Sequence, residues 1–214
     1  MHIPDGLLPH DVCLVGYGLM GGLTWYSLRQ IQRDRNAEEN MPKASLLTAA
    51  FFVASLIHIP IPPTSVHLVL CGLMGAILGY YAFPAILIGL FFQAVMFHHG
   101  GLSTLGINSL VVGLPAIACH HFYTAGKQLA GNNPLARKLL AFMTGFGGTV
   151  LVALLFSAIV AFNIPADLDS RTEQAAILAF FISHLILAAI EGVFMVMILS
   201  FLERVKPELL RGNS

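Results

Sequence analysis

The first two residues, Met1 and His2, are the part of the sequence best suited to hold a transition metal. The α-amine, the His2 main-chain nitrogen and the His2 imidazole can chelate one ion together, which leaves a fourth position for another donor. We expect His67 to fill it. A flat set of nitrogen ligands suits Ni(II) or Cu(II), and imidazole also suits cobalt, whereas Mg(II) and Ca(II) prefer oxygen. The competing interpretation is that His2 belongs to a disordered chain end.

The composition indicates the class of protein that must position these ligands. Of 214 residues, 57% are hydrophobic and only 10% charged, and the mean hydropathy is +0.79. Soluble domains carry about a quarter charged residues, so we predict an integral membrane protein. Long apolar runs without strand-like alternation favour helices over a β-barrel. A net charge of zero gives no reason to expect a nucleic-acid partner, and the three isolated cysteines indicate no disulfide framework.

The predicted fold is all-α and polytopic, with residues 1–214 forming one membrane domain and residues 1–9 an N-terminal segment that inserts into the helical bundle. A transmembrane helix needs about 17 to 25 apolar residues. About seven spans are predicted, some of them short, at 10–31, 44–58, 66–82, 84–98, 104–126, 138–162 and 174–203.

The basic residues predict the orientation of this bundle. Ten of the 11 Lys and Arg residues fall on the side of the 32–43 connector and the C-terminus, and only Arg171 falls on the other. By the positive-inside rule the C-terminus is cytoplasmic and the N-terminus is outside. Several ligand-type side chains then share the external face, namely Met1, His2, Asp5, His58, His67, His98 and His99. This face is suited to capturing a metal from outside.

Other residues near this face are candidates for supporting positions. His98 and His99 end the fourth span, and adjacent residues at a helix end point in different directions, so we expect them not to chelate one ion together. One of them, or Asn108, is expected to orient a ligand histidine by a hydrogen bond. Asp5 and Ser65 are further candidates beside the site, although Ser65 also suits a helix cap.

The last span contains His184 and Glu191, seven residues apart and therefore on roughly one helical face. Ionisable groups inside a membrane usually face the protein interior and serve a function, so a metal pathway is one interpretation. The other is a buried hydrogen-bonded pair that fixes helix packing, because an isolated carboxylate in hydrocarbon is costly.

Several motifs together resemble the CbiM/NikM family of substrate-specific membrane components of energy-coupling-factor transporters for cobalt and nickel. The resemblance spans nearly the whole chain. It rests on the opening Met1–Gly6, on His67, on Phe92-Gln93-Ala94, on Gly100-Gly101, on Leu105-Gly106-x-Asn108 and on the segment His184–Gly192.

This resemblance implies a seven-helix fold whose N-terminal segment plugs into the bundle from outside. It also implies near-square-planar binding of Ni(II) or Co(II) as the transported substrate by Met1, His2 and His67, with no organic cofactor. The implied partners are a transmembrane coupling (T) subunit, two ATP-binding-cassette ATPase subunits and, in some systems, a small accessory membrane subunit. The implied location is the cytoplasmic (inner) membrane of a bacterium or archaeon.

Two alternatives belong to other functional classes. A membrane redox protein could hold haem between histidines, with His58, His98, His120 and His184 as candidates for axial pairs. An intramembrane hydrolase is the other alternative, although no nucleophile-elbow or H-E-x-x-H motif occurs. The G-x-x-x-x-G-K-[ST] phosphate loop is also missing from the sequence, so we expect no enzymatic activity here and ATP hydrolysis in separate subunits.

Overall fold

The computed structural model describes residues 2–61, 64–163 and 170–207, and gives the main chain alone for residues 39, 58–61, 64–65 and 170–174. The helices are α1 (His10–Ile31), α2 (Ala37–Ala54), α3 (Cys71–Leu78), α4 (Ala82–Phe97), α5 (Leu105–Ala130), α6 (Pro134–Phe162) and α7 (Ser170–Val205). A 3-10 turn, Gly79–Tyr81, joins α3 to α4.

A short β-hairpin departs from the all-α prediction. Strands β1 (His58–Ile61) and β2 (Thr64–His67) pair antiparallel, with His58 opposite His67. The predicted second and third spans, 44–58 and 66–82, are therefore wrong at their hairpin ends. β-branched residues such as Ile61, Thr64 and Val66 favour this extended conformation.

The ends of the other helices follow local chemistry. α2 begins at Ala37, earlier than predicted, because the charged connector is rich in the good helix formers Ala, Glu and Lys. α6 begins after Asn133, whose side chain accepts hydrogen bonds from the N–H groups of Leu135 and Ala136, and Pro134 takes the first helical position. Pro84 lies in the first turn of α4, where a missing N–H breaks no helical bond.

The core is built around the short helix α3, of which seven of eight residues are buried. α5 packs against α1, α3, α4 and α6, and α6 packs along α7. Within the residues that the structure describes, four segments are long and apolar enough to cross a membrane, namely Cys71–Phe97, Leu105–Ala130, Pro134–Phe162 and Ala175–Val205. The chain thus has the character of a membrane protein, while the seven crossings and the sidedness of the termini stay predictions.

Candidate metal centre

The N-terminal segment is held against the start of α5 through the main chain of Ile3. The Ile3 N–H donates to Asn108 Oδ1 at 2.9 Å, and Asn108 Nδ2 donates back to the Ile3 carbonyl at 3.0 Å. The Thr104 hydroxyl donates to the same carbonyl at 2.6 Å. The Ile3 side chain is fully buried, so apolar contact reinforces these bonds. The residue next to it, His2, is thereby fixed in position.

Asp5 forms a second attachment of this segment, to the loop between α4 and α5. Its Oδ1 accepts from the Ser103 N–H at 2.8 Å and the Ser103 hydroxyl at 2.5 Å, and its Oδ2 accepts from the Leu102 N–H at 3.3 Å. The bond from the Ser103 hydroxyl is the largest influence on the carboxyl group, and the net effect lowers the pKa of Asp5. Asp5 therefore acts here as a hydrogen-bond acceptor for the loop.

Three histidines that are distant in sequence form one cluster. His2, His67 and His99 each present a ligand atom within 4.8 Å of the others. The His2 and His67 rings are stacked, with centroids 5.2 Å apart and an interplanar angle of 16°. The His99 ring stands edge-on to both, at 65° to His2 and 79° to His67. His67 is buried and the other two are half-buried, so the cluster reaches the surface at one end of the bundle.

The two adjacent histidines after α4, His98 and His99, point in different directions, as the sequence predicts. His98 ends α4 with a positive φ of 52° and its side chain is exposed, whereas His99 enters the cluster. The glycines that follow allow the N-terminal segment to approach. A Cβ on Gly100, which has φ +85°, would lie 3.0 Å from His2 Cβ, and one on Gly101 would lie 2.0 Å from Asp5 Oδ1. Larger residues would push the segment away.

His67 occupies the end of β2 with a defined ring orientation. Its Nδ1 lies 3.1 Å from the Leu68 carbonyl oxygen. A carbonyl only accepts hydrogen bonds, so the neutral ring carries its proton on Nδ1. The Nε2 lone pair is then the one available to a metal, which is the usual arrangement when the other ring nitrogen bonds a carbonyl.

Glu191 on α7 supports the turn that follows His67. Its buried carboxylate accepts hydrogen bonds from the N–H groups of Val69 and Leu70 and from the Thr149 hydroxyl at 2.7 Å. Leu70 has a positive φ of 54°, so the chain turns sharply here before α3 begins. The carboxylate thus stabilises the main chain immediately behind His67.

The predicted pairing of His184 with Glu191 is wrong. His184 Nδ1 lies 2.7 Å from the Phe180 carbonyl oxygen within α7, and its ring packs on the Phe180 ring at 3.9 Å. Seven residues of helix rise about 10 Å, which is too far for a hydrogen bond between the two side chains. Glu191 fixes helix packing with other partners, and His184 stays a predicted pathway residue.

Some of the remaining predicted site residues lie within the described part of the chain and others do not. Met1 and the side chain of Ser65 lie outside the described part of the chain, as does the side chain of His58. Asn108 was expected to orient a histidine ring, but its amide holds the Ile3 main chain instead. The sequence analysis missed Ser103, Thr104 and Thr149, because hydroxyls that bond main-chain or carboxylate groups leave no spacing signal.

Comparison with known proteins agrees with a metal-handling membrane protein. Residues 2–209 match the family CbiM, described as the cobalt uptake substrate-specific transmembrane region. The chain belongs to the CbiM family. Relatives of this CbiM-family chain include a putative metal transport protein of Haemophilus influenzae, 30% identical over 98% of this chain and 97% of that protein. The cobalt transport protein CbiM of Thermosediminibacter oceani is 31% identical over 95% and 84% of the two chains.

A further relative is longer than this CbiM-family chain. The fused nickel transport protein NikMN of Rhodobacter capsulatus is 31% identical over 98% of this chain, which spans 64% of that protein. Among solved structures, the crystal structure of a transition metal transporter has a TM-score of 0.81 with 22% identity, covering 96% of this chain and 93% of that one. A truncated transition metal transporter has a TM-score of 0.80. These two likenesses show the fold.

Proposed function

We propose that this chain is the substrate-capture membrane subunit of a nickel or cobalt uptake transporter. The observation that carries the proposal is the cluster of His2, His67 and His99, in which three imidazoles from distant parts of the chain meet within 4.8 Å. Imidazole is a preferred ligand of nickel and cobalt. Membership of the CbiM family and the relatives named for cobalt and nickel transport support the same substrate.

The proposed ligands are the Met1 amine, the main-chain nitrogen and imidazole of His2, and Nε2 of His67. The Met1 part of this set rests on the sequence, in which the amine directly precedes His2. The rest is supported by the attachment of Ile3, which directly follows His2, and by the His67 Nδ1 contact with Leu68, which puts the ring proton on Nδ1 and the ring lone pair on Nε2. Nitrogen donors in one plane suit Ni(II), a d⁸ ion with a preference for square-planar or tetragonal geometry.

His99 adds a third imidazole that the sequence analysis had assigned only a supporting position. Its ring stands edge-on to the two stacked rings, so it approaches the centre of the cluster from another direction. We propose that His99 supplies a donor outside the plane of the other nitrogens. Such a donor favours an ion that accepts five or six ligands, and it can exchange with water as the substrate enters or leaves.

Transport requires a source of energy, which we assign to partner subunits on separate chains. A coupling subunit and two ATPase subunits, as implied by the family resemblance, would supply the energy, with a small accessory membrane subunit in some systems. Under the positive-inside rule, the basic residues of the 32–43 connector and of the α5–α6 region support the proposal that the opposite end of the bundle faces the cytoplasm of a bacterium or archaeon. The histidine cluster then faces outside. Uptake of radioactive nickel by cells with and without the partner subunits tests this assignment.

The haem alternative has no support in the matches named above, which concern metal transport. The structure also separates two of its candidate ligands. The His120 ring contacts Tyr80 and His121, whereas the His184 ring contacts Phe180. Bound haem would give a strong Soret band, so an absorption spectrum of the purified protein is a direct check.

Calorimetric titration of the purified chain with Ni(II) and Co(II), at an unmodified N-terminus, tests the binding proposal. We expect one tight site, severe weakening in His2→Ala and His67→Ala, and loss of tight binding when one residue is added before Met1, because the α-amine then moves away. His98→Ala is the matched control, since His98 lies beside the cluster but is exposed. Unchanged affinity in His2→Ala or His67→Ala would contradict the proposal.

A further inference from the structure

A second polar site lies at the other end of α4 from the histidine cluster. A cavity of about 490 Å³ is enclosed by the end of α1, the α1–α2 connector, the 3-10 turn and α5. Its polar lining includes Gln30, Arg33, Arg35, Asn36, Tyr80 and His120. α4 starts beside this cavity and ends beside His99, so about 24 Å of helix separates the two sites. The cavity is therefore independent of the proposed metal ligands.

His120 on α5 gives this cavity a buried polar group without a partner. Its side chain is only 8% exposed, and its Nδ1 makes no hydrogen bond to any residue that the structure describes. The ring packs against Tyr80 and His121, both at 5.1 Å between centroids, which fixes its orientation. A buried polar atom with no partner is costly, so a ligand that bonds Nδ1 would relieve that cost.

The charges around the cavity favour an anion over a metal cation. Arg33 and Arg35 both contribute positive charge to the lining. Asp34 between them also lines the cavity, and its carboxylate accepts hydrogen bonds from the Asn36 N–H at 2.9 Å, the Asn40 amide at 2.7 Å and the Tyr81 hydroxyl at 3.0 Å. Two arginines against this one carboxylate leave the lining with a net positive charge. The other polar groups of the lining are mostly donors, namely the two guanidinium groups and the side-chain amides of Gln30 and Asn36.

Aromatic residues beside the cavity mark it as part of a membrane interface. Trp25 on α1 is 62% exposed, and the Arg29 guanidinium lies 5.0 Å from the centre of its ring. Tyr26 meets Tyr80 edge-on at 5.7 Å. Exposed Trp and Tyr concentrate at the level of the lipid headgroups, and basic pockets between membrane helices bind anionic headgroups there.

We propose that this cavity binds the phosphate headgroup of an anionic phospholipid such as phosphatidylglycerol. Arg33 and Arg35 hold the phosphate by charge-assisted hydrogen bonds, and the polar glycerol of the headgroup reaches towards His120. The acyl chains extend along one exposed apolar face of α1, to which Leu14 and Leu28 contribute. The site thereby connects the α1–α2 connector to the surrounding membrane.

Native mass spectrometry and thermal unfolding of the purified chain in detergent test this site. The probes are phosphatidylglycerol, phosphatidylcholine and inorganic phosphate, each added separately. We expect phosphatidylglycerol to bind and raise the melting temperature, and phosphatidylcholine to do neither. Arg33→Gln with Arg35→Gln should weaken phosphatidylglycerol binding by about fivefold for each arginine. His120→Phe keeps an aromatic ring without a donor and should weaken binding as well.

The matched control is Lys138→Gln with Arg204→Gln, which removes the same charge from two exposed residues outside the cavity. Nickel binding at the distant cluster, measured in every variant, reports that the fold is intact. Equal binding of the two phospholipids, or no greater loss in the Arg33 and Arg35 variant than in the control, would overturn the proposal. Inorganic phosphate that stabilises the protein as much as phosphatidylglycerol, and displaces it, would overturn the lipid assignment in favour of a free phosphate site.

Discussion

Glu191 accepts a hydrogen bond from the main-chain N–H of Leu70, three residues after the candidate ligand His67. The bond joins the middle of α7 to the turn between β2 and α3, across more than half the sequence. The carboxylate thus contributes to the candidate site through the main chain that carries His67, without belonging to the histidine cluster.

Replacing this carboxylate should disturb both folding and metal binding. Glu191→Gln keeps the size of the side chain but removes the charge, so its hydrogen bonds to Val69, Leu70 and Thr149 weaken. A hydrogen bond to a charged group contributes about 1.5–3 kcal/mol, so we expect a lower melting temperature and at least tenfold weaker nickel binding. Glu203→Gln, on the exposed part of α7, is the control for loss of charge. Wild-type affinity in Glu191→Gln would show that the turn keeps His67 in place unaided.

Asn108→Ala should release the N-terminal segment. The substitution removes two hydrogen bonds to the Ile3 main chain. The carbonyl keeps its bond from Thr104, but the N–H loses its Asn108 partner, which costs about 1–3 kcal/mol. We expect faster nickel dissociation and faster proteolysis near the N-terminus, measured by stopped-flow kinetics and limited digestion. Asn132→Ala, at an exposed position, should change neither rate. A dissociation rate equal to that of the wild type would mean that Thr104 and Asp5 suffice to hold the segment.

Gly101→Ala should interfere with the same segment sterically. The added methyl group would lie 2.0 Å from Asp5 Oδ1, so either the carboxylate or the loop must move. We expect the Asp5 attachment to be lost and nickel affinity to fall by at least tenfold, as measured by calorimetry. Gly147→Ala provides the comparison, because a Cβ there meets nothing within 4 Å. Similar affinities of the two variants would contradict the packing described here.

Removing His99 should change the preference between metals. If His99 donates from outside the plane of the other nitrogens, His99→Ala leaves a flat donor set, which Ni(II) accepts better than an ion that requires five or six ligands. We expect Co(II) affinity to fall by a larger factor than Ni(II) affinity in competition titrations. His98→Ala should leave the ratio unchanged. An equal loss for both ions would assign His99 a role in shaping the site without metal contact.

The pH dependence should separate metal ligation from attachment of the segment. Free imidazole takes up a proton near pH 6.5, so histidine ligation generally weakens as the pH falls through that range. The hydrogen bonds from Ser103 lower the pKa of Asp5 from its usual 3.8, so its contribution to stability is present above that value and is lost only as the pH falls through the lower folded pKa. At equilibrium, metal binding should therefore be lost between about pH 7 and 5, whereas the Asp5 attachment of the segment persists in the metal-free protein.

Asp5→Asn tests this separation. It should lower the melting temperature above about pH 4, where the wild-type carboxylate is charged, and leave the midpoint pH of nickel binding unchanged. Asp11→Asn, on the exposed first turn of α1, is the control. A shift of the nickel midpoint in Asp5→Asn would show that the two processes are linked.

The sequence predicts the positions that depend on residue type and leaves open those that depend on the path of the chain. The sequence analysis named His2 and His67 together because His2 directly follows Met1 and prolines precede His67, and the structure brings the two rings together. His99 is underestimated because a helix end alone does not say which of two adjacent histidines turns inwards. The left-handed conformation of His98 decides that, and only the structure shows it.

The same distinction applies to secondary structure, where local signals are readable in the sequence and long-range contacts are not. α1, α5 and α6 lie close to their predicted spans because the length of an apolar run is a local signal. The hairpin is missed, since two four-residue strands are too short to give a periodic pattern and lie beside apolar helices. The true partners of Glu191 are likewise non-local, since the contact spans more than 120 residues of sequence.

The attachment of Ile3 to Asn108 and Thr104 means that, under the proposed ligation, one ligand and the cover of the site are the same short peptide. An ion bound through His2 cannot depart while that peptide stays docked. The peptide in turn cannot detach without breaking the hydrogen bonds of Ile3 to Asn108 and Thr104. The residence time of the ion would then be set by how fast the N-terminal segment detaches, and this rate can change without any change in the metal ligands.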